Sequence, residues 1–158
     1  MNVRFITVGT LKEGYLRDAA EEYEKRLGGF CRFENIQLKE ERLHEDPSEN
    51  EIKNALERES EKIFSKIPPR AYVFAMCVEG SQMSSAGLAR KLESISQKTG
   101  DVCFIIGSSY GLADTVKQRA DFCLSVSELT FPHQLMRVIL LEAVYRAFNI
   151  SRGTKYHK

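Results

Sequence analysis

The stretch that decides the fold reads DVCFIIGSSYGL at residues 101–112 and continues as DFCLSVSELTFPH at residues 121–133. Each piece contains a short unbroken apolar run, Val102–Ile106 in the first and Phe122–Val126 in the second. Unbroken runs of this length are typical of strands that are buried on both faces of a parallel sheet. Each run ends in a loop of small and polar residues. Because ligands of open α/β sheets bind outside the carboxyl ends of the strands, these two loops predict a ligand site.

The first loop carries two glycines, Gly107 and Gly111, which allow a left-handed backbone or a close approach to a ligand. The second loop, residues 127–133, leads directly into a long helix. Neither loop fits a G-x-G-x-x-G dinucleotide motif or a G-x-x-x-x-G-K-[ST] phosphate loop, and neither motif occurs elsewhere in the chain. The glycine loop alone therefore predicts a ligand site but does not indicate which class of ligand binds there.

The helix that follows, Leu135–Ile150, is apolar on almost every side. Only Glu142, Arg146 and Asn149 form a polar line along it, whereas a helix packed on one sheet face needs an apolar stripe of only about 100°. We therefore expect it to be covered on two sides, by its own sheet and by a second subunit.

His133 and Arg137 lie one turn apart at the start of this helix, away from its polar line. A cation and an imidazole on the first turn of a largely buried helix indicate a functional role. A structural histidine at a helix start is the alternative.

The rest of the chain alternates between strand and helix patterns. We predict strands at Val3–Val8, Phe30–Leu38 and Ala71–Val78, and helices at Gly14–Leu27, from the Ser48–Glu51 capping box to Pro68, from Ser84 or Ser85 to Gly100, and near Ala113–Ala120. This order predicts one α/β domain over residues 1–158, with a mostly parallel sheet and helices on both faces.

The charge of the chain is uneven although its net value is only +1. Residues 39–61 hold four basic and nine acidic side chains, a net of −5, and residues 137–158 hold five basic and one acidic, a net of +4. A contact with nucleic acid is therefore expected to be local and near the C-terminal end. The tail, residues 152–158, also mixes cations with a tyrosine, a combination that holds phosphates and stacks on bases. A frayed terminus is the alternative.

The four cysteines, Cys31, Cys77, Cys103 and Cys123, form no C-x-x-C pair. They predict buried free thiols in a reducing cytosol and no zinc site. A nucleophilic pair of Cys123 with His133 is conceivable, but a buried strand disfavours a reactive thiolate. The chain shows no signal-peptide layout and no apolar run as long as a membrane span, so we expect a soluble cytoplasmic protein without a membrane partner.

Four segments together resemble one known family. They are VGTLKEGYLRDAAEEYEKRL at 8–27, FIIGSSYGL at 104–112, LSVSELTFPHQLMRVILLEAVYRAF at 124–148 and YHK at 156–158. With them the chain resembles the rRNA large subunit methyltransferase H family, which is similar to the wider SPOUT class, over essentially its whole length.

The resemblance implies properties that composition and spacing do not. It implies a deep C-terminal trefoil knot, a homodimer, S-adenosylmethionine as methyl donor and no metal. The implied reaction is methylation at N3 of a pseudouridine in helix 69 of 23S rRNA, with the assembled ribosome as substrate.

The resemblance also assigns residues by position. For the donor site it implies Met76, Gly107, Val126, Ser127, Glu128, Leu129, Thr130 and Phe131. For the RNA or the methyl transfer it implies His133, Arg137, Tyr156 and His157. The chain departs from the family pattern at Ser108, usually a second glycine, and at Ser81, often a lysine.

A noncatalytic nucleotide- or RNA-binding α/β dimer is the alternative function. Such a protein would share the glycine loop and the basic tail, but it would not need His133 and Arg137 beside the pocket.

Overall fold

The computed structural model describes residues 1–157, in which five strands and five helices alternate along the chain. They are β1 (Asn2–Val8), α1 (Gly14–Leu27), β2 (Arg32–Leu38), α2 (Glu49–Phe64), β3 (Tyr72–Ser81), α3 (Ser85–Lys98), β4 (Asp101–Ile106), α4 (Asp114–Arg119), β5 (Phe122–Leu124) and α5 (His133–Ser151). Every predicted element is present, and most bounds agree within two residues. The predicted α/β class is confirmed.

The five strands form one sheet in the order β2-β1-β4-β3-β5, and every pair is parallel. Helices α1, α3 and α5 cover one face, where their apolar residues meet Phe5, Phe74 and Phe104. Helices α2 and α4 cover the other face, over Ile6, Val73 and Ile105. Because both faces are covered, the strands read as unbroken apolar runs rather than as alternating ones.

Local signals explain where the helices begin. The side chain of Ser48 accepts a hydrogen bond from the backbone of Glu51, and the Glu51 carboxylate accepts one from the backbone of Ser48, so the predicted capping box is present. Ser84 caps α3 through the backbone N–H of Gly87 at 3.0 Å. No helix within the described residues is long and apolar enough to cross a membrane.

Helix α5 is covered by its own chain to a greater extent than the sequence suggested. Leu140, Leu141 and Val144 are fully buried in the cluster that α5 shares with α1, α3 and the sheet. On the α1 side, Tyr23 and Phe30 place their rings 6.1 and 5.5 Å from that of Tyr145. The remaining apolar side is less covered, because Leu135 is exposed and Val138 and Ile139 are only partly buried, so the predicted second subunit stays a prediction.

The end of β5 differs from the prediction. The strand stops at Leu124 rather than Val126: the Ser125 N–H still donates to the carbonyl of Ser81, the last residue of β3, and the Ser125 hydroxyl then donates to the carbonyl of Ser127 in the loop. Leu124 pairs with both Met76 and Ser81, so the end of β3 bulges between two contacts with the same β5 residue.

Gly80 lies where that bulge crosses β5. A Cβ atom at this position would approach the carbonyl oxygen of Cys123 to 2.6 Å, closer than such atoms come in proteins. The two backbone segments therefore pack directly on each other.

Candidate functional site

A cavity of about 760 Å³ opens at the carboxyl ends of β3, β4 and β5 and is closed on one side by the start of α5. Its volume falls within the range of roughly 300–1,000 Å³ that is usual for small-molecule sites. Its walls are the loops that follow the three strands, which is where parallel sheets bind ligands.

Most of the residues predicted for the donor site line this cavity. Those that line it are Met76, Gly107, Val126, Ser127, Leu129, Thr130 and Phe131. Glu128 is exposed and does not line the cavity. The binding role of these residues remains a prediction.

Gly107 is required by the shape of its own loop. A Cβ atom there would overlap the backbone carbonyl of Gly111 and approach Leu112 Cδ2 to 3.1 Å. Gly111 itself has φ of +85°, a left-handed conformation that favours glycine, and its N–H donates to the carbonyl of Ser108 at 2.9 Å. The loop therefore turns back sharply along the cavity wall.

His133 lines the cavity from the first turn of α5 and is half-buried. Burial lowers the pKa of its imidazole below the usual 6.5, and the charges of Arg137 and Lys12 lower it further, while Glu40 acts in the opposite direction. The ring is therefore mainly neutral at neutral pH and can accept a proton.

Arg137 does not line the cavity, although the sequence placed it towards the RNA. It is 2% exposed, and its Nη2 donates to the carbonyl oxygen of Gly9 at 2.9 Å. Its Nε and Nη1 are buried with no hydrogen-bond partner among the described residues. Burial lowers its pKa, and the nearby carboxylate of Glu24 opposes this effect. Its direct contacts are thus inside the protomer, at the end of β1.

The C-terminal tail is ordered against α5. The Tyr156 hydroxyl donates to Glu142 at 3.2 Å, its ring lies 4.9 Å from that of Tyr145, and the Arg146 guanidinium stands 4.8 Å from its centroid. Neither Tyr156 nor the exposed His157 lines the cavity of the same chain. The structure therefore does not bring all four predicted catalytic residues together within one protomer. Lys158 lies outside the described residues.

Comparisons with known proteins agree with this architecture. The family described as "Predicted SPOUT methyltransferase" matches residues 1–157. The chain belongs to the SPOUT methyltransferase family. Relatives named ribosomal RNA large subunit methyltransferase H are 48% identical in Streptococcus thermophilus (strain ATCC BAA-491 / LMD-9) and 47% identical in Bacillus pumilus (strain SAFR-032). Both alignments cover 100% of this chain and 100% of the relative, which confirms the resemblance read from the sequence.

Solved structures share the fold at low sequence identity. A probable methyltransferase from Bordetella pertussis Tohama I has a TM-score of 0.60 at 14% identity, covering 92% of this chain and 95% of that one. The tRNA (m1G37) methyltransferase from Aquifex aeolicus has a TM-score of 0.52 at 15% identity, covering 92% and 70%. These likenesses show the fold alone.

Several residues that line the cavity of this SPOUT methyltransferase were not predicted. Cys77, Val78 and Glu79 lie at the end of β3, where strand position alone would have found them. Lys117 of α4 also lines the cavity and pairs with Glu79 at 2.5 Å, and no motif marked it.

The thiols of this SPOUT methyltransferase are free. Burial raises the pKa of Cys31 to about 11 and of Cys103 to about 12, and it also raises the pKa of Cys77. Cys123 donates to the carbonyl of Lys117 at 3.7 Å and does not line the cavity. This geometry does not support a Cys123–His133 nucleophile.

No group of three or more metal-ligating side chains that could hold an ion occurs among residues 1–157.

Proposed function

We propose that this protein transfers a methyl group from S-adenosylmethionine to N3 of a pseudouridine in helix 69 of 23S rRNA, on the assembled ribosome. One observation carries the proposal. In a chain 48% identical over its full length to proteins named ribosomal RNA large subunit methyltransferase H, seven of the eight residues that the resemblance assigns to the donor line one cavity.

The residues of the cavity fit an S-adenosylmethionine molecule. Met76, Leu129 and Phe131 offer apolar walls, and Gly107 and Gly111 offer backbone groups that no side chain of their own covers. The cofactor supplies an electrophilic methyl group on a sulfonium. The task of the protein is to hold that methyl in line with the acceptor nitrogen and to keep water out.

The proposed acceptor is an imide nitrogen, which must lose its proton before or during the attack. His133 is the candidate proton acceptor within one protomer because it lines the cavity and burial keeps its imidazole neutral. His157 of the tail is the second candidate, and solvent is the third.

Arg137 enters the proposal as a positioning residue. Its bond to the Gly9 carbonyl ties the end of β1 to the first turn of α5, which carries His133. The Arg137 guanidinium also lowers the pKa of His133. It acts on the reaction through these neighbours.

A homodimer completes the proposed site. In one chain, Tyr156 and His157 lie along α5 and away from the cavity, so we place these residues of one protomer at the cavity of its partner. The exposed Arg152 and Lys155 of both chains would then lie on one assembled surface, which suits an RNA substrate.

A deep trefoil knot at the C-terminal end also belongs to the proposal. Its support is the double contact of Leu124 with Met76 and Ser81, together with the close packing of Gly80 on Cys123. The β3 end thus bends around the segment that leads to α5.

Methyl transfer from radiolabelled S-adenosylmethionine to ribosomes tests the proposal. Ribosomes from a strain that lacks this methylation should take up label, and mapping should place it on the helix 69 pseudouridine. Free 23S rRNA is the control and should accept much less. Donor binding without any transfer would instead support the noncatalytic alternative.

A further inference from the structure

One carboxylate of the acidic α2 helix is buried, although most of its charges face solvent. Glu59 is 3% exposed, whereas Glu61, two residues further on, is exposed. Burying a carboxylate is costly unless donors satisfy it, so its surroundings need an explanation. Burial raises its pKa, and two hydrogen bonds to it oppose the rise.

The two donors come from two different loops. The backbone N–H of Glu41, in the segment between β2 and α2, donates to Glu59 Oε1 at 2.9 Å. The hydroxyl of Ser108 donates to Glu59 Oε2 at 3.2 Å. Ser108 is itself 4% exposed, so this bond is shielded from competing water.

Ser108 belongs to the glycine loop of the cavity. Its carbonyl accepts the N–H of Gly111 at 2.9 Å, and the two residues form a β-bridge that closes the turn. A bond that fixes Ser108 therefore fixes the turn as well. The whole turn, Ser108 included, lines the cavity, whereas Glu59 does not, so Glu59 holds the loop without touching what the cavity contains.

We infer that Glu59 is a positioning residue that anchors the donor-binding loop through Ser108. The inference rests on the proposed function, because that function places S-adenosylmethionine in the cavity. It also assigns a purpose to the serine at position 108, since a glycine there has no hydroxyl to donate.

Two variants remove the bond from opposite ends. Glu59→Ala takes away the acceptor, and Ser108→Ala takes away only the donor and keeps the backbone unchanged. Glu59→Gln is the conservative variant, because its amide can still accept from Glu41 and donate to the Ser108 oxygen. Ser60→Ala is the matched control on the same helix, since the buried Ser60 hydroxyl bonds only to the carbonyl of Glu57, at 2.6 Å.

Hydrogen exchange of the Gly111 amide in the cofactor-free protein measures the anchor directly. The quantity compared is the ratio of the exchange rate of the Gly111 amide to that of the Phe104 amide in β4. In Glu59→Ala and Ser108→Ala this ratio should rise about tenfold, because the turn loses one buried hydrogen bond. In Glu59→Gln and Ser60→Ala the ratio should stay within about threefold of the original protein. An unchanged ratio in both bond-removing variants overturns the inference, whatever binds in the cavity.

Calorimetry of S-adenosylmethionine binding then measures the consequence. Both bond-removing variants should bind about tenfold more weakly, and Glu59→Gln should restore most of the affinity. If exchange accelerates while affinity is unchanged, Glu59 does not position the loop for the donor. If the original protein binds no donor, the proposed function fails, and faster exchange still supports the anchor.

Discussion

At the start of α5, Arg137 places a guanidinium in a part of the molecule with almost no solvent. One of its nitrogens holds the Gly9 carbonyl, and two have no partner within residues 1–157. A buried cation so incompletely satisfied contributes little to stability, and an apolar side chain of similar size often replaces one without loss. Its retention here is better explained by the reaction than by the fold.

We therefore predict that Arg137→Met keeps a native fold and binds S-adenosylmethionine nearly as the original protein does. Its methyl transfer to ribosomes should fall at least about tenfold, because α5, which carries His133, loses its bond to the end of β1. The fall should appear in kcat and not in the KM for the donor. Arg137→Lys should recover part of kcat, because an ammonium can still donate to Gly9. An equal loss of donor binding and turnover would show that Arg137 is structural.

His133 gives a prediction about pH. Burial lowers its pKa below 6.5, so the neutral imidazole that accepts a proton predominates above that lowered pKa and is lost as the pH falls through it. The rate of methyl transfer should therefore be level near pH 7 and decline on the acid side, below pH 6.5. His133→Gln should be slow and should lack this acid limb.

The exposed His44, paired with Glu51, is the matched control. His44→Gln should leave the pH profile unchanged. If His133→Gln keeps both the rate and the acid limb, another group or solvent takes the proton.

At the scale of elements, the loop between β4 and α4 depends on the absence of a side chain at Gly107. A Cβ atom there would overlap the backbone of Gly111, so a larger residue has to push the two sides of the turn apart. Because the clash is confined to a loop, the sheet beneath it can remain intact.

We predict that Gly107→Val abolishes S-adenosylmethionine binding in calorimetry while the circular dichroism spectrum stays native. Gly14→Ala is the control, since a Cβ atom at Gly14 meets only the side chain of Arg17, at 3.6 Å. That control should bind the donor normally. Unchanged affinity in Gly107→Val would remove this loop from the donor site.

At the scale of the whole molecule, the sheet separates two regions of opposite charge. Residues 39–61, with a net of −5, lead into and form most of α2 on one face. On the other face, residues 138–157, with three basic side chains and one acidic and so a net of +2, lie along α5 and beyond it. A polyanion such as RNA is therefore drawn to the α5 side. The tail lies on that side but does not reach the cavity of its own chain.

Mixed dimers test whether the tail serves the partner's cavity. One inactive variant carries Gly107→Val, and the other carries Tyr156→Ala with His157→Ala. The second keeps Arg152, which donates to the Gly29 carbonyl at 3.1 Å and stands over Phe30, so the end of α5 stays in place. If tails are exchanged, a mixed dimer has one site with both defects and one with neither, and activity returns in part. If each chain uses its own tail, mixing restores nothing, and the shared-site proposal fails.

Local patterns in the sequence were sufficient to predict the helices and strands and the position of the cavity. The apolar runs at β4 and β5, the capping box at Ser48 and the glycines that end the loops each act over a few neighbouring residues. Parallel strands deliver their loops to one edge, so the cavity followed from the order of the elements. The resemblance then named the family, which the comparisons confirmed.

Contacts between distant parts of the chain were decided only by the tertiary structure. The resemblance implied that Arg137 faces the RNA or the methyl transfer, but its guanidinium is buried and donates to Gly9, 128 positions away. Glu59 carries no signal in the sequence that sets it apart from the other acids of α2, but it meets Ser108, 49 positions away. Helix α5 packs against α1 and α3 in one cluster, but Leu135 stays exposed and Ile139 only partly buried, so its expected second cover stays a prediction. The spacing of apolar residues indicates which side of a helix or strand is buried. It does not indicate which residues pack against that side, because packing across the whole fold decides this.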